Sequence, residues 1–329
     1  MEVSRIENLP PPPGIISSIK AGFDTIASHI TAILLPLLLN LFIWLGPRLR
    51  MNALFDSIVD DVVLIWQRGG VSAQDIQRVL DWYQNTIPTI NLFWFLRTLP
   101  VGISSLLQSQ NVTQTPLGEP AILQVSALSF PGWIILLTVL GWIGGALYFR
   151  SVAWVVVSDV EQRVQPLHAV VQTILVSIAC AILLMIIGIP LLVVLFLVLQ
   201  LNAFLANVFV LLVCLVSMRL VVPVFFWPHG VFVKRQNVFT SMLSSLQLMR
   251  FTLPTSSLFV LTVFLLAFGL NYLWRIPPQN SWMTLVGILG HSFVTTALLA
   301  GSFIYYRDMS VWVQGVIERL RPNHAVKKA

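Results

Sequence analysis

Charge is what this chain most lacks. Only 10% of its 329 residues are Asp, Glu, Lys or Arg, against roughly 25% in soluble domains, and the stretch from Val164 to Met218 contains none. A membrane span needs about 20 mostly apolar residues, so that stretch holds two, and a soluble fold is excluded. Cysteine is nearly absent as well. Cys180 and Cys214 both fall in the uncharged run, which leaves no disulfide framework and no CxxC metal site; they read as buried apolar thiols. Acidic residues are missing from every predicted span, so intramembrane proteolysis by paired carboxylates has no side chains to use. HExxH, GxSxG and Walker A motifs are absent too. No catalytic residue, metal site or cofactor is expected.

The net charge of +6 comes from Arg and Lys gathered at span ends. It therefore speaks of membrane orientation, and no nucleic-acid partner is expected. The opening "MEVSRIENLPPPPG" lacks the basic start, short apolar core and cleavage site of a secretory signal, so the first span is expected to be retained as an anchor.

Hydrophobic periodicity predicts an all-α, polytopic integral membrane protein with about six transmembrane helices plus interfacial amphipathic helices. Residues 1–29 form a leader and an interfacial helix, with Ile15, Ile19, Phe23 and Ile26 on one face. Residues 30–46 form the first span, in which Pro36 and Asn40 must face protein. Residues 47–130 are an extracytoplasmic, largely helical region, including a capping box at Ser72 and Asp75. Within it, residues 91–108 are too broken by Arg97, Pro100 and Gly102 to cross, and read as surface-lying or re-entrant. The second span covers 131–149, a cytoplasmic interfacial loop 150–167, and a third span, kinked at Pro190, 168–199. The fourth covers 204–227, followed by a cytoplasmic amphipathic helix over 228–255. Spans at 256–274 and 282–306 precede a basic cytoplasmic tail, 307–329. The short loops put most Lys and Arg on the side of the termini, which places both in the cytoplasm, with the spans in the cytoplasmic membrane of a bacterial cell. Trp44, Trp133, Trp227, Trp274, Trp282 and Tyr306 fit interfacial belts.

Several side chains are candidates for chemistry. Asp56, Asp60 and Asp61 have the spacing of a cation site, but a solvated acidic face explains them better. Gly141 and Gly145 satisfy GxxxG, with Gly144 widening the smooth face for a neighbouring helix. Asn111 opens an N-glycosylation sequon. His168 with Gln172, and His291 with Thr295, lie one helical turn apart, and interhelical glue is the simplest reading of both pairs. A buried imidazole at His291 has the alternative of relaying protons or binding a substrate. Arg219 is the costliest residue: a charge at the centre of a span costs about 2.5–3.5 kcal/mol on insertion scales. It either snorkels to headgroups, the preferred reading, or turns inward to hold an anion.

From Arg219 to about residue 275 the chain resembles a diffuse family of bacterial and archaeal polytopic proteins related to the membrane domain of glycerophosphodiester phosphodiesterases. The likeness rests on Arg219 late in a span, the Pro-containing apolar stretch after it, and "NVFTSMLSSLQLMR", which supplies Val238, Ser241, Met242, Ser245, Leu248 and Arg250 at the motif's small, apolar and basic positions. Asn237 stands where the family has Gly, and Lys234 or Arg235 where it has an acidic residue. No phosphodiesterase domain accompanies the motif, so the resemblance implies a membrane-domain architecture without hydrolase activity. The expected function is non-enzymatic: a scaffold or accessory subunit contacting the lipid bilayer, a membrane-protein partner or a second copy of itself. The alternative is a transporter or lipid-handling permease with a polar intramembrane cavity around Arg219, His291 and Asn271.

Overall fold

The computed structural model describes residues 11–107, 114–157 and 163–320. The first ten residues, the Asn111 sequon and the tail from residue 321 lie outside the described residues. Helices α1 (Ile15–Ser28) and α2 (Leu34–Leu45) meet at a 97° bend. The polar region that follows carries strand β1 (Arg48–Arg50), short helices α3 (Asn52–Asp56), α4 (Val59–Arg68) and α5 (Ala73–Thr86), two 3-10 turns (Ile87–Thr89 and Leu92–Leu96) and strand β2 (Ile122–Gln124). The strands pair in parallel, Leu49 opposite Leu123, and close the region at its base. Five long helices complete the chain: α6 (Phe130–Val156), α7 (Pro166–Leu201), α8 (Ala203–Lys234), α9 (Val238–Trp274) and α10 (Met283–Leu320). Four of them, α6, α7, α9 and α10, are long and apolar enough to cross a membrane, and the bent pair α1–α2 with the two halves of α8, bent by 41°, raise the number to as many as six. The fold is all-α and polytopic.

Charges and prolines do not end the helices where the sequence suggested. Helix α6 runs on through Arg150 to Val156 because Val152, Ala153 and Val156 are buried against neighbours. There the Arg150 guanidinium donates to the Val164 carbonyl and, with Arg163, flanks the Trp154 ring. Helix α7 passes through Pro190 unbroken to Leu201. The largest departure concerns residues 228–255. In place of a separate amphipathic helix, α8 continues through Pro223 and Pro228 to Lys234 and the chain turns in three residues, with Arg235 in the left-handed region at φ 53°. Helix α9 then starts at Val238 and continues without a break. Buried helices keep such prolines because adjacent helices satisfy the freed backbone groups. Here the neighbour is close. A Cβ on Gly230 would collide with the Ser241 hydroxyl, which itself donates to the Trp227 carbonyl at 2.5 Å.

The motif residues Val238, Ser241, Ser245 and Leu248 form the buried stripe of the first turns of α9. They pack one long helix into the bundle, and the Gln172 side chain accepts from the Val238 N–H, one of the orphan donors at the helix start. At 37 and 38 residues, α9 and α10 rise roughly 55 Å, well beyond the ~30 Å hydrocarbon core.

Helix α1 does not lie apart as an interfacial helix. Its buried stripe is Ser18, Gly22 and Ile26, and a Cβ on Gly22 would run into the backbone of Ala297 and Gly301 on α10. The pairing is antiparallel, with Ile19 beside Gly301 and Phe23 edge-on to Phe293 at 5.8 Å. After the bend, α2 carries the same course to the other end of α10, where the Trp44 indole donates to the Gln279 carbonyl at 2.8 Å and meets the Trp282 ring. Both helices thus pack along α10, one on each side of the bend. Trp44, Trp227 and Tyr306 are buried in the bundle and do not form a belt.

Candidate functional site

The residues from Asn91 to Leu107, one 3-10 turn (Leu92–Leu96) followed by irregular chain, form a segment pushed between the long helices. Irregular backbone survives at membrane depth only where protein or a cavity surrounds it, and this segment has both. Its seat is the pair of glycines on α6. A Cβ on Gly141 would stand 2.8–2.9 Å from the carbonyls of Phe95 and Leu96, and one on Gly145 would stand 2.7 Å from the Val101 carbonyl and 2.9 Å from Gly102 Cα. The GxxxG face therefore receives this inserted segment in place of the expected neighbouring helix. Asn40 fixes it from the opposite side, its amide donating to the Pro36 carbonyl at 2.7 Å and the Ser104 carbonyl at 3.3 Å while its carbonyl accepts from the Leu106 N–H at 2.8 Å. Pro36 and Asn40 are buried, the orientation that their cost in lipid demands.

Behind the segment lies a cavity of about 240 Å³. Pro100, Gly102 and Ser104 form one wall, and α6, α8, α9 and α10 supply the rest. Most of the lining is apolar, with polar groups at its margins: Tyr148, Thr295, Ser302 and His229. His229 is 2% exposed and sits among Phe225, Phe226 and Phe303, each with its ring centroid 5.1 Å away, and Tyr306 at 5.8 Å. Its Nε2 lies 2.8 Å from Ser302 Oγ. The Ser302 hydroxyl has one hydrogen, and it is donated to the Leu299 carbonyl at 2.7 Å. The Phe225 carbonyl, one helical turn back on α8, also faces the ring as a hydrogen-bond acceptor. Tyr148 hydrogen-bonds Thr296 at 3.0 Å. The cavity thus offers a buried imidazole and several hydroxyls between apolar walls, a lining suited to a ligand that is largely apolar and carries a polar group.

His291 and Asn271 are brought together: His291 Nδ1 lies 2.5 Å from the Asn271 side-chain oxygen, which joins α10 to α9. His291 is fully buried, eleven residues or roughly 16 Å along α10 from Ser302. It lies beside the cavity and outside its lining. The cations acting on His291 are Arg97 and Arg275, and the Arg275 guanidinium donates to the Leu106 carbonyl at 2.8 Å. Arg219 belongs to neither group. It is exposed near the middle of α8, with no side-chain hydrogen bond or ion pair, so the expected grouping of Arg219 with His291 and Asn271 is not what the fold assembles.

The remaining candidates have structural surroundings. Asp56, Asp60 and Asp61 are exposed; Asp60 and Asp61 occupy the first turn of α4, where negative charge suits the helix dipole, and Asp56 accepts from Tyr83 at 2.9 Å. Burial and that carboxylate push the Tyr83 phenol up to about 12. Among the described residues no three His, Cys, Asp or Glu gather as metal ligands. Cys180 is half-buried and Cys214 exposed, on helix faces that the bundle does not cover, so they are not the buried thiols expected. Arg48 caps α2 by donating to the Ile43 and Trp44 carbonyls, and burial, reinforced by Arg50, pushes its guanidinium down to about 10.

The expected end of the fourth span at residue 227 left His229 just outside the spans. Had the helix been carried through the proline, Val222, Phe226, His229 and Val233 would have fallen on one face. No family model, curated protein or solved structure matches this chain.

Proposed function

We propose that this protein is a transporter or lipid-handling permease, non-enzymatic and multi-pass, in a cell membrane with both termini cytoplasmic. The observation that carries the proposal is the inserted Asn91–Leu107 backbone walling a cavity that ends on His229 and Ser302. Transporters place irregular backbone and broken helices around a binding site. The bends at α1–α2 and within α8 supply the broken elements. Orientation is supported by Arg150, Arg163, Lys234 and Arg307, which meet at the bundle end where α6 and α8 finish, with Arg307 donating to the Val156 carbonyl at 3.1 Å.

A scaffold or accessory role, with a membrane-protein partner or a second copy, is favoured by a different feature. The outer half of the α7–α8 hairpin exposes most of its large apolar side chains, and nothing in the most apolar window of α7 is buried. The two roles part on one experiment. In a Cys180→Ser, Cys214→Ser background, Thr295→Cys faces the cavity and Thr296→Cys is packed against Tyr148. A permease gives modification of Thr295→Cys by a charged, membrane-impermeant thiol reagent and none of Thr296→Cys. Equal protection of both positions sinks the permease.

A further inference from the structure

On the other side of the inserted segment, between it and helices α6 and α7, lies a larger groove of about 740 Å³. Its walls are aromatic and apolar, with Trp94, Phe95, Phe130 and Trp142 among them, and Arg97 is its one charged lining residue. Arg97 makes no ion pair with a carboxylate among the described residues, unlike Arg78 with Asp75 and Arg307 with Asp308. Its Nε is buried without a hydrogen-bond acceptor, and so is the Ser177 hydroxyl across the groove. Arg275 is close enough to repel it. A half-buried cation facing a second cation, with no anion near and its Nε shut off from water, lacks its complement. The volume and walls suit an acyl chain, since ligand clefts of roughly 300–1,000 Å³ with few polar groups are the common pattern.

We infer that this groove binds a single-chain anionic amphiphile, its carboxylate or phosphate on Arg97 and its chain along the aromatic wall toward Ala181. The site deepens the permease proposal by naming a ligand class, and the groove and the inner cavity are separated only by the segment that carries Arg97, Thr98, Pro100 and Gly102. Carboxylate and phosphate offer the same chemistry to a guanidinium, so both are tested.

The full chain in a neutral detergent is titrated with oleate, oleoyl lysophosphatidate, monoolein and inorganic phosphate, with occupancy read by native mass spectrometry and stability by thermal unfolding. At least one of the two charged amphiphiles is expected to bind about tenfold more tightly than monoolein, the scale of one charge-assisted hydrogen bond, and phosphate alone not to bind. The preferred head, oleate or lysophosphatidate, identifies the source. Arg97→Gln should erase the preference over monoolein and Arg97→Lys retain part of it. Ala181→Trp blocks the groove from an exposed position that folding does not depend on, so it should abolish binding even where Arg97→Gln is too unstable to assay. Monoolein binding as tightly as both anions, or an unchanged preference in a folded Arg97→Gln protein, overturns the site. Reactivity of Thr295→Cys is scored separately, so loss of the groove and loss of the permease are distinct results.

Discussion

Three glycines in the "GWIGG" stretch of α6 are chemically identical and structurally unlike. Alanine at Gly145 would bring Cβ to 2.7 Å from the Val101 carbonyl and 2.9 Å from Gly102 Cα, and at Gly141 to 2.8–2.9 Å from the Phe95 and Leu96 carbonyls. Both lie well inside the roughly 3.5–4.0 Å of a normal contact, and the obstructing atoms are backbone that cannot rotate away. At Gly144 the nearest atom is Ile103 Cδ1 at 3.6 Å, an ordinary contact. Replacing Gly by Ala inside a helix gains about 0.8–1.0 kcal/mol, while overpacking costs about 1–3 kcal/mol. Gly144→Ala should therefore be neutral to stabilising by up to about 1 kcal/mol. Gly141→Ala and Gly145→Ala lose most or all of that gain, falling about 1–3 kcal/mol below Gly144→Ala. Thermal unfolding of the detergent-solubilised variants measures the order, and thiol reactivity of Thr295→Cys in each background reports whether the displaced segment has altered the cavity. Equal stability for all three alanines would show that the segment is not seated on α6 and would refute the reasoning.

Other outcomes follow from named contacts. Arg219→Ala should leave folding and Thr295→Cys reactivity unchanged, because Arg219 is exposed on α8 away from the cavity lining; a loss of reactivity would return Arg219 to the site. Arg48→Met leaves the Ile43 and Trp44 carbonyls of α2 without their charged donor and should cost about 1–3 kcal/mol, checked by thermal unfolding against Arg50→Met, whose side chain caps no helix. Tyr83 has its folded pKa raised from 10.0 to about 12. Its bond to Asp56 therefore contributes stability that is complete below pH 10 and is lost as pH rises through 12. The difference in phenolate absorbance between the parent protein and Tyr83→Phe should accordingly appear only near the upper limit, and a titration near 10 would mean the bond is not made.

Helix type and approximate number were legible because uncharged runs of this length admit only a membrane helix. Pro36 and Asn40 were legible as protein-facing from cost alone, as was the Ser72 cap, which accepts from the Asp75 N–H at 3.2 Å. Helix ends were not. Arg150 and Pro228 carry the local marks of termini, but tertiary contacts override them: Arg150 and Arg163 on the Trp154 ring, the Ser241 hydroxyl on the Trp227 carbonyl. The same long-range pairing hid the site. His229 and Ser302 are 73 residues apart, and nothing local to either marks the other. Gly141 and Gly145 were recognisable as a close-approach face, but periodicity cannot say that the partner is the irregular chain around Leu96 and Val101. Arg97 was read as a breaker of an apolar stretch, and its role as the charge facing a groove depends on α7, which folds onto it from beyond residue 166.

The central claim is that the His229–Ser302 cavity belongs to a path through the membrane. Its most direct test is the sidedness of Thr295→Cys modification, measured with the impermeant reagent in sealed right-side-out and inside-out vesicles. A permease that alternates its access gives modification from both faces; protection from both, or reactivity from one face alone at every condition, contradicts it.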